Sequence, residues 1–155
     1  MNPDQIVLWV LRGFGALWVV GAVFLLRQLW FNAKLDPMIA TLEKMAEDMG
    51  APPEKAKVDV DNGRERWMAV GGVLTLAAGV AMLLGHRLAV PLLAALIVQQ
   101  ILYFIRQRRR ELRASPADAA MERPTQQTVN GFYTSLLAAL LAAWLYWRGQ
   151  LWWSL

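Results

Sequence analysis

The residues best suited to bind or react with a ligand in this chain are the few polar ones that interrupt its long apolar stretches. Arg12 lies in the first stretch, and Gln99 and Gln100 are adjacent in the third. A charge or an amide in hydrocarbon is costly unless it is paired or reaches the surface. We therefore expect Arg12 either to extend its guanidinium to the headgroup layer or to bind an anionic headgroup or substrate. The two glutamines are expected either to hydrogen-bond to neighbouring helices or to line a polar path.

Residues for acid–base, metal or nucleophilic chemistry are scarce. The chain has no cysteine and one histidine, His86, and its apolar stretches contain no Asp or Glu. None of the GxSxG, HExxH or P-loop motifs is present. The segment Val58–Arg66 carries calcium-loop residue types, but Gly63 stands where a third oxygen ligand is needed, which favours a solvated turn. We expect no cofactor and no metal, and a non-catalytic role is favoured over an enzyme.

A basic collar, Arg106–Arg113, follows the third apolar stretch. Helical spacings of three and four residues place four of its arginines along one side. Such a side is typical of contact with anionic lipid headgroups. Binding of nucleic acid is not expected, because no aromatic residues are interleaved with the basic ones. The predicted lipid-binding residues are Arg106, Arg109, Arg110 and Arg113.

Four apolar stretches must position these residues. The two central stretches are 18 residues long, or about 27 Å as helices, which is close to the thickness of the hydrocarbon core of a bilayer. The chain is 57% hydrophobic and only 18% charged, against about 25% charged in ordinary soluble domains. The predicted fold class is all-α, a polytopic membrane protein forming a single domain over residues 1–155. The transmembrane helices are predicted at about residues 6–30, 67–84, 88–105 and 129–147.

The first of two large loops, at about 31–66 and 106–128, contains a helix signal. Asp36 followed by Pro37 is typical of a helix start, and Gly50 of a helix end. We predict a short amphipathic helix that lies in the membrane interface, packs under the bundle or holds a partner helix. Its apolar face would consist of Met38, Leu42, Met45 and Met49.

Small residues recur every fourth position in two of the stretches, a pattern that permits close contact between transmembrane helices. In the second stretch these are Gly71, Thr75 and Gly79; in the fourth they are Ser135, Ala139 and Ala143. Gly13 and Gly15, beside Arg12, would also allow a helix or a ligand to approach closely. We predict that these positions mediate helix packing.

The distribution of basic residues predicts the orientation. Thirteen of the 16 lysines and arginines lie in or beside the two large loops. Because cytoplasmic loops carry the excess of basic residues, we predict that both loops are cytoplasmic and both termini are outside. The predicted location is a bacterial cytoplasmic (inner) membrane.

Three functions remain open at this level. The first is a non-catalytic subunit or assembly partner, either a homo-oligomer or part of a larger membrane complex. The second is a small oligomeric transport or channel protein lined by Arg12, Gln99 and Gln100. The third is a membrane enzyme acting on a lipid or a quinone, for which the loop carboxylates Glu65 and Glu111, near the predicted cytoplasmic surface, are the only plausible catalytic groups.

Overall fold

The computed structural model describes residues 2–49, 62–112 and 124–152. Within these ranges the chain forms four helices and no strand, apart from an isolated bridge between His86 and Trp152. Each helix contains a segment long and apolar enough to cross a membrane. The predicted all-α class with four membrane-crossing helices is therefore confirmed. The helices are α1 (Pro3–Asp48), α2 (Asn62–Leu84), α3 (Ala89–Glu111) and α4 (Gln126–Trp147).

The helices pack as a closed ring in chain order, with α1 against α2, α2 against α3, α3 against α4, and α4 back against α1. The centre of the ring is filled by apolar side chains from all four helices, including Leu11, Met82, Leu93 and Leu145. One end of the bundle carries the α2–α3 turn and the residues nearest the two termini, and we call it the turn end. The other is the loop end.

The outside of the bundle is strongly apolar. Leu17 on α1 and Leu140 on α4 are 70% and 69% exposed. At most 28% of the residues in any membrane-crossing window are buried inside the protein. An apolar exterior of this extent on four helices indicates an integral membrane protein, because hydrocarbon, not water, is the medium that it suits.

Helix α1 differs from the sequence prediction. The separate amphipathic helix expected after Pro37 is not present, because α1 runs without a break from Pro3 to Asp48 and contains Pro37. The Asp-Pro pair favours a helix start, but a proline inside a helix also leaves it continuous when only one backbone bond is lost. Residues 31–35 contain no glycine or proline that would end the preceding helix. The Thr41 hydroxyl donates to the Pro37 carbonyl at 2.7 Å.

Helices α1 and α2 approach each other closely at two glycines. A methyl group placed on Gly15 would lie 2.7 Å from the carbonyl oxygen of Gly79 and 2.8 Å from the amide nitrogen of Leu83. Gly15 therefore has no room for a side chain, whereas a methyl group on Gly79 would lie 3.1 Å from the carbonyl oxygen of Gly15, so the contact is tightest at Gly15. Gly13, in contrast, has nothing within 4 Å of such a methyl group.

The turn end is held together by backbone pairing between distant segments. Gly85 ends α2 with a φ of +66°, a left-handed conformation that glycine adopts without strain. The Gly85 carbonyl accepts a hydrogen bond from the Trp152 amide, and the Trp152 carbonyl accepts one from the Arg87 amide. Both N···O distances are 3.0 Å. The chain after α4 is thereby joined to the α2–α3 turn.

Candidate functional site

The main candidate site is a cavity of about 260 Å³ toward the loop end of the bundle. Leu25 of α1, a face of α2 and a face of α3 line most of it, and Thr125 and Thr128 at the start of α4 complete it. The wall on α3 extends from Leu96 to Gln107, a length of about 16 Å. The cavity thus reaches from the apolar part of the bundle to the level of the basic collar.

The two glutamines predicted from the sequence lie in this cavity and bond to different helices. The Gln99 amide nitrogen donates to the Trp67 carbonyl at 3.2 Å, and its side chain packs against Gly71. The Gln100 amide nitrogen donates to the Ser135 hydroxyl at 3.1 Å, and that hydroxyl donates to the carbonyl of Gly131. Gln99 therefore links α3 to α2, and Gln100 links α3 to α4.

Two amide oxygens in the cavity wall lack a partner. The Oε1 atoms of Gln100 and Gln107 are both buried and accept no hydrogen bond from the described part of the chain. Gln107 is only 8% exposed. The sequence prediction missed Gln107 because it stands among the arginines of the collar, outside the apolar stretch. Its spacing of seven from Gln100 was the available signal, since residues two turns apart share a helix face.

The rest of the wall is apolar, aromatic or hydroxylated. Trp67 and Tyr103 contribute rings, and so does Phe104, whose ring packs edge-to-face on Phe132 with centroids 5.5 Å apart. Thr75 also lines the cavity, but its hydroxyl donates to the Gly71 carbonyl at 2.7 Å. None of the residues described around the cavity is ionisable near neutral pH. This arrangement can hold an uncharged polar molecule, and it offers no general acid or base.

Arg12 lies elsewhere, at the turn end. It precedes the cavity residue Leu25 by 13 positions on the same helix, or about 20 Å. Its guanidinium carbon is 5.4 Å from the centre of the Trp9 ring, and its buried Nε lacks a partner among the described residues. The three residues expected to share a polar path are thus not brought together, because the apolar core of the bundle separates Arg12 from Gln99 and Gln100.

Two other arginines also lie at the turn end. A terminal guanidinium nitrogen of Arg148 lies 3.3 Å from an oxygen of the buried Asp4 carboxylate. The Arg87 Nε donates to the Leu151 carbonyl at 2.8 Å, and its guanidinium carbon is 5.4 Å from the centre of the Tyr146 ring. Asp4 at the start of α1 and Arg148 after the end of α4 also complement the helix dipoles. These arginines therefore stabilise the closure of the bundle.

The predicted packing residues have different environments. Ser135 is buried and Ala139 is packed against the core, whereas Ala143 is exposed and makes no part of the core. On α2, Gly79 meets α1 and Gly71 meets Gln99 of α3. The small-residue face of α2 therefore contacts two helices, α1 and α3.

The basic collar begins on the last turns of α3, where basic side chains complement the helix dipole. Arg106 and Arg109 are exposed, and Arg110 is half-buried. Arg113 lies outside the described residues. Arg108, which was not among the four predicted lipid-binding residues, is also exposed.

A second candidate surface is the part of α1 beyond the bundle. Gly15 packs on Gly79, and Leu25 and Leu26 pack on Gly72. This antiparallel register places the described start of α2 level with about residue 36, so the following turns of α1 have no described helix opposite them. Four apolar residues beyond that level, with Phe31 and Leu35 just before it, form one exposed stripe, the projecting face, and a groove of about 430 Å³ runs along its second half. The projecting face consists of Phe31, Leu35, Met38, Leu42, Met45 and Met49.

The fold and its sites define a four-helix integral membrane protein with an amide-lined cavity and a helix that extends beyond the bundle. Comparisons with protein-family models, with curated proteins and with solved structures found no match.

Proposed function

We propose that this chain is a non-catalytic membrane protein that associates through the projecting face, and that its partner is α1 of a second copy. The observation that carries the proposal is the exposure of this face: five of its six side chains are more than half exposed. The last 13 residues of α1 follow the apolar window that ends at Leu35. They extend about 20 Å, beyond the segment that hydrocarbon would cover.

The spacing of the projecting face matches a helix partner. Its residues follow one another at intervals of 4, 3, 4, 3 and 4. This is the 3.5-residue repeat with which two helices supercoil and interdigitate their side chains. A lipid surface also accepts an apolar stripe at these spacings, and the cross-linking test below distinguishes it from a helix partner. A repeat of this kind is also self-complementary under two-fold symmetry, so a second copy suits it.

Charge does not oppose pairing of two copies. Two α1 helices in one membrane run parallel, and in a parallel pair the residues flanking the seam face each other across it. By heptad position, residue 34 of one helix pairs with residue 39 of the other and residue 41 with residue 46, and neither pair has two charged members in the sequence. No like charges meet beside the seam, and methionine adapts well to a helix surface.

The absence of cysteine from the sequence provides a direct test. In membranes under mild oxidation, the Met38→Cys variant should form a disulfide-linked dimer, because residue 38 lies in the seam. The Lys44→Cys variant is the matched control, since Lys44 is also exposed on this part of α1 but lies outside the stripe. A cross-link to a different protein would identify another subunit, and not a second copy of this chain, as the partner of the projecting face. Monomer alone from both variants would contradict the proposal.

We also propose that both loops are cytoplasmic, with both termini outside, in a bacterial inner membrane. The supporting observation is the charge asymmetry of thirteen against three basic residues. In intact cells a membrane-impermeant maleimide should label Gln150→Cys but not Lys44→Cys. The opposite pattern would reverse the orientation. Anionic lipids are the proposed partners of the collar, and the exposure of Arg106, Arg108 and Arg109 supports this.

The two alternative functions receive less support. A channel through one chain would need continuous polar groups, but the buried Leu11, Met82 and Leu93 fill the middle of the bundle. Transport would therefore require lining residues from several copies. An enzyme acting on a lipid or quinone would need a titratable group at the cavity, and the described wall supplies none near neutral pH.

A further inference from the structure

We infer that the cavity between α2 and α3 is a binding site for the head of an uncharged, membrane-soluble diol. The inference goes beyond the proposed association through α1 and does not depend on it. It rests on the two buried amide oxygens that have no donor, on the absence of ionised groups from the described wall, and on the size of the cavity.

The unpaired oxygens determine which functional groups the site prefers. A buried carbonyl oxygen without a donor is unfavourable, because it has given up its hydrogen bonds to water. The Oε1 atoms of Gln100 and Gln107 are both in this condition. Ordered water can supply donors, but a ligand that brings two O–H groups satisfies the same atoms and also covers apolar wall. A ligand carrying only acceptors satisfies neither.

Helix geometry places the two glutamines at opposite ends of a short binding site. Gln100 and Gln107 are seven residues apart, so they share a face of α3 and their Cα atoms are about 10.5 Å apart. A six-membered ring with hydroxyls at opposite ends, with one hydrogen bond at each hydroxyl, spans a similar length. The rings of Trp67, Tyr103 and Phe104 line the same space, which favours an apolar body between the hydroxyls.

The volume and charge of the cavity restrict the ligand further. About 260 Å³ is slightly below the usual range of ligand pockets, roughly 300–1,000 Å³. It holds a headgroup or one ring, and an attached chain would remain in the membrane. A phosphate or carboxylate would enter without a counter-charge from the described wall, which is unfavourable. The shared chemistry is thus a neutral diol, either a dihydroxybenzene with an alkyl tail or the glycerol head of a 2-monoacylglycerol, which keeps two free hydroxyls.

Direct binding measurements on the purified full chain in phosphatidylcholine nanodiscs test the inference. The probes are a decyl-substituted 1,4-dihydroxybenzene, its dimethyl ether, its oxidised quinone, and 2-monooctanoylglycerol. Native mass spectrometry gives the bound fraction, and the unfolding midpoint gives an independent measure. A chemical reductant can keep the diol reduced, because the chain has no cystine to break.

We expect at least one of the two diols to bind saturably at one per chain. The ether and the quinone, which lack O–H donors, should bind at least about fivefold more weakly than the dihydroxybenzene if the ring is the preferred source. Preference for 2-monooctanoylglycerol would identify the lipid head instead. Absence of saturable binding by both diols, or equal binding of the ether and the dihydroxybenzene, would overturn the inference.

Variants localise the site. Gln107→Leu and Gln100→Leu should each weaken binding of the diol about fivefold or more, because each removes one acceptor. Gln28→Leu is the matched control, an exposed glutamine on α1, and should leave binding unchanged. Gln107→Leu should unfold no earlier than the parent without ligand, since it removes a buried unpaired group, so loss of binding cannot be attributed to misfolding. Equal weakening by Gln28→Leu would also overturn the inference. The α1 variants do not touch this site, so the two proposals fail separately.

Discussion

The contact between Gly15 and Gly79 makes a quantitative prediction for the Gly15→Ala variant. The added methyl group would lie 2.7 Å from the carbonyl oxygen of Gly79, whereas ordinary contact begins at 3.4 Å. The obstacle is backbone, on both Gly79 and Leu83, and no flexible side chain can move aside. The two helices would have to separate locally by about 0.7 Å, the difference between those two distances.

The magnitude follows from a matched pair of variants. Overpacking a tight contact typically costs about 1–3 kcal/mol, while replacing glycine by alanine within a helix stabilises it by about 0.8–1 kcal/mol. Gly13→Ala carries the same gain in helix propensity, two residues away on α1, and meets nothing within 4 Å. The propensity terms cancel between the variants. Gly15→Ala should therefore be less stable than Gly13→Ala by about 1–3 kcal/mol.

The measurement is reversible unfolding of both purified variants in mixed micelles with increasing SDS, followed by circular dichroism. The parent chain provides the reference, and we expect Gly13→Ala to equal or exceed its stability. If Gly15→Ala unfolds at the same SDS fraction as Gly13→Ala, the close approach of α1 and α2 does not exist in the protein. Unfolding of Gly13→Ala before Gly15→Ala would contradict the assignment of the faces of α1.

Three further predictions concern the two ends of the bundle. Gly85→Ala should lower stability by about 1–2 kcal/mol, because Gly85 has a φ of +66° and alanine is strained there. The control variant Gly131→Ala, within a helix, should not lower stability. Equal SDS midpoints for the two variants would refute the turn conformation. Arg148→Gln should destabilise the protein by about 1–3 kcal/mol, because it leaves the Asp4 carboxylate buried without its partner. Asp4→Asn removes that carboxylate and should destabilise the protein less. The reverse order would show that the ion pair is unimportant. Replacing the exposed collar arginines by glutamine should weaken the binding of anionic lipid by about 1 kcal/mol per side chain, with all helices still inserted. Native mass spectrometry measures this as less retained lipid. An unchanged amount of retained lipid would show that the collar does not bind it. The replaced residues are Arg106, Arg108 and Arg109.

The existence and order of the four helices follow from the sequence because hydrocarbon imposes a minimum length of apolar chain. That rule also explains the error in α1. The apolar stretch ends near Leu35, and Asp36-Pro37 then resembles the start of a new helix. Whether a proline begins a helix or lies within one depends on the turn before it. In α1 the helix continues through that turn, so length and composition indicated where the apolar span stops but not where the helix stops.

The cavity was only partly predictable. Gln99 and Gln100 drew attention because amides are rare inside apolar stretches, and they do lie in its wall. Gln107 did not, because among arginines a glutamine looks like an ordinary surface residue. Conversely, Arg12 is as unusual in sequence as the glutamines, yet it belongs to the turn end. Composition identifies which groups are unusual, whereas the register between helices decides which of them meet.

The pairing of Trp152 with the α2–α3 turn has a consequence for how the protein is made. The bond between Arg87 and the Leu151 carbonyl joins residues 64 positions apart. A ribosome delivers the chain from its amino end, so α1, α2 and α3 are synthesised and can associate before this bond has both of its partners. The bonds between the α2–α3 turn and residues 151 and 152 therefore form only after α4 has been synthesised. The pair of Asp4 with Arg148 forms at the same late stage, so both connections at the turn end belong to the last step of assembly.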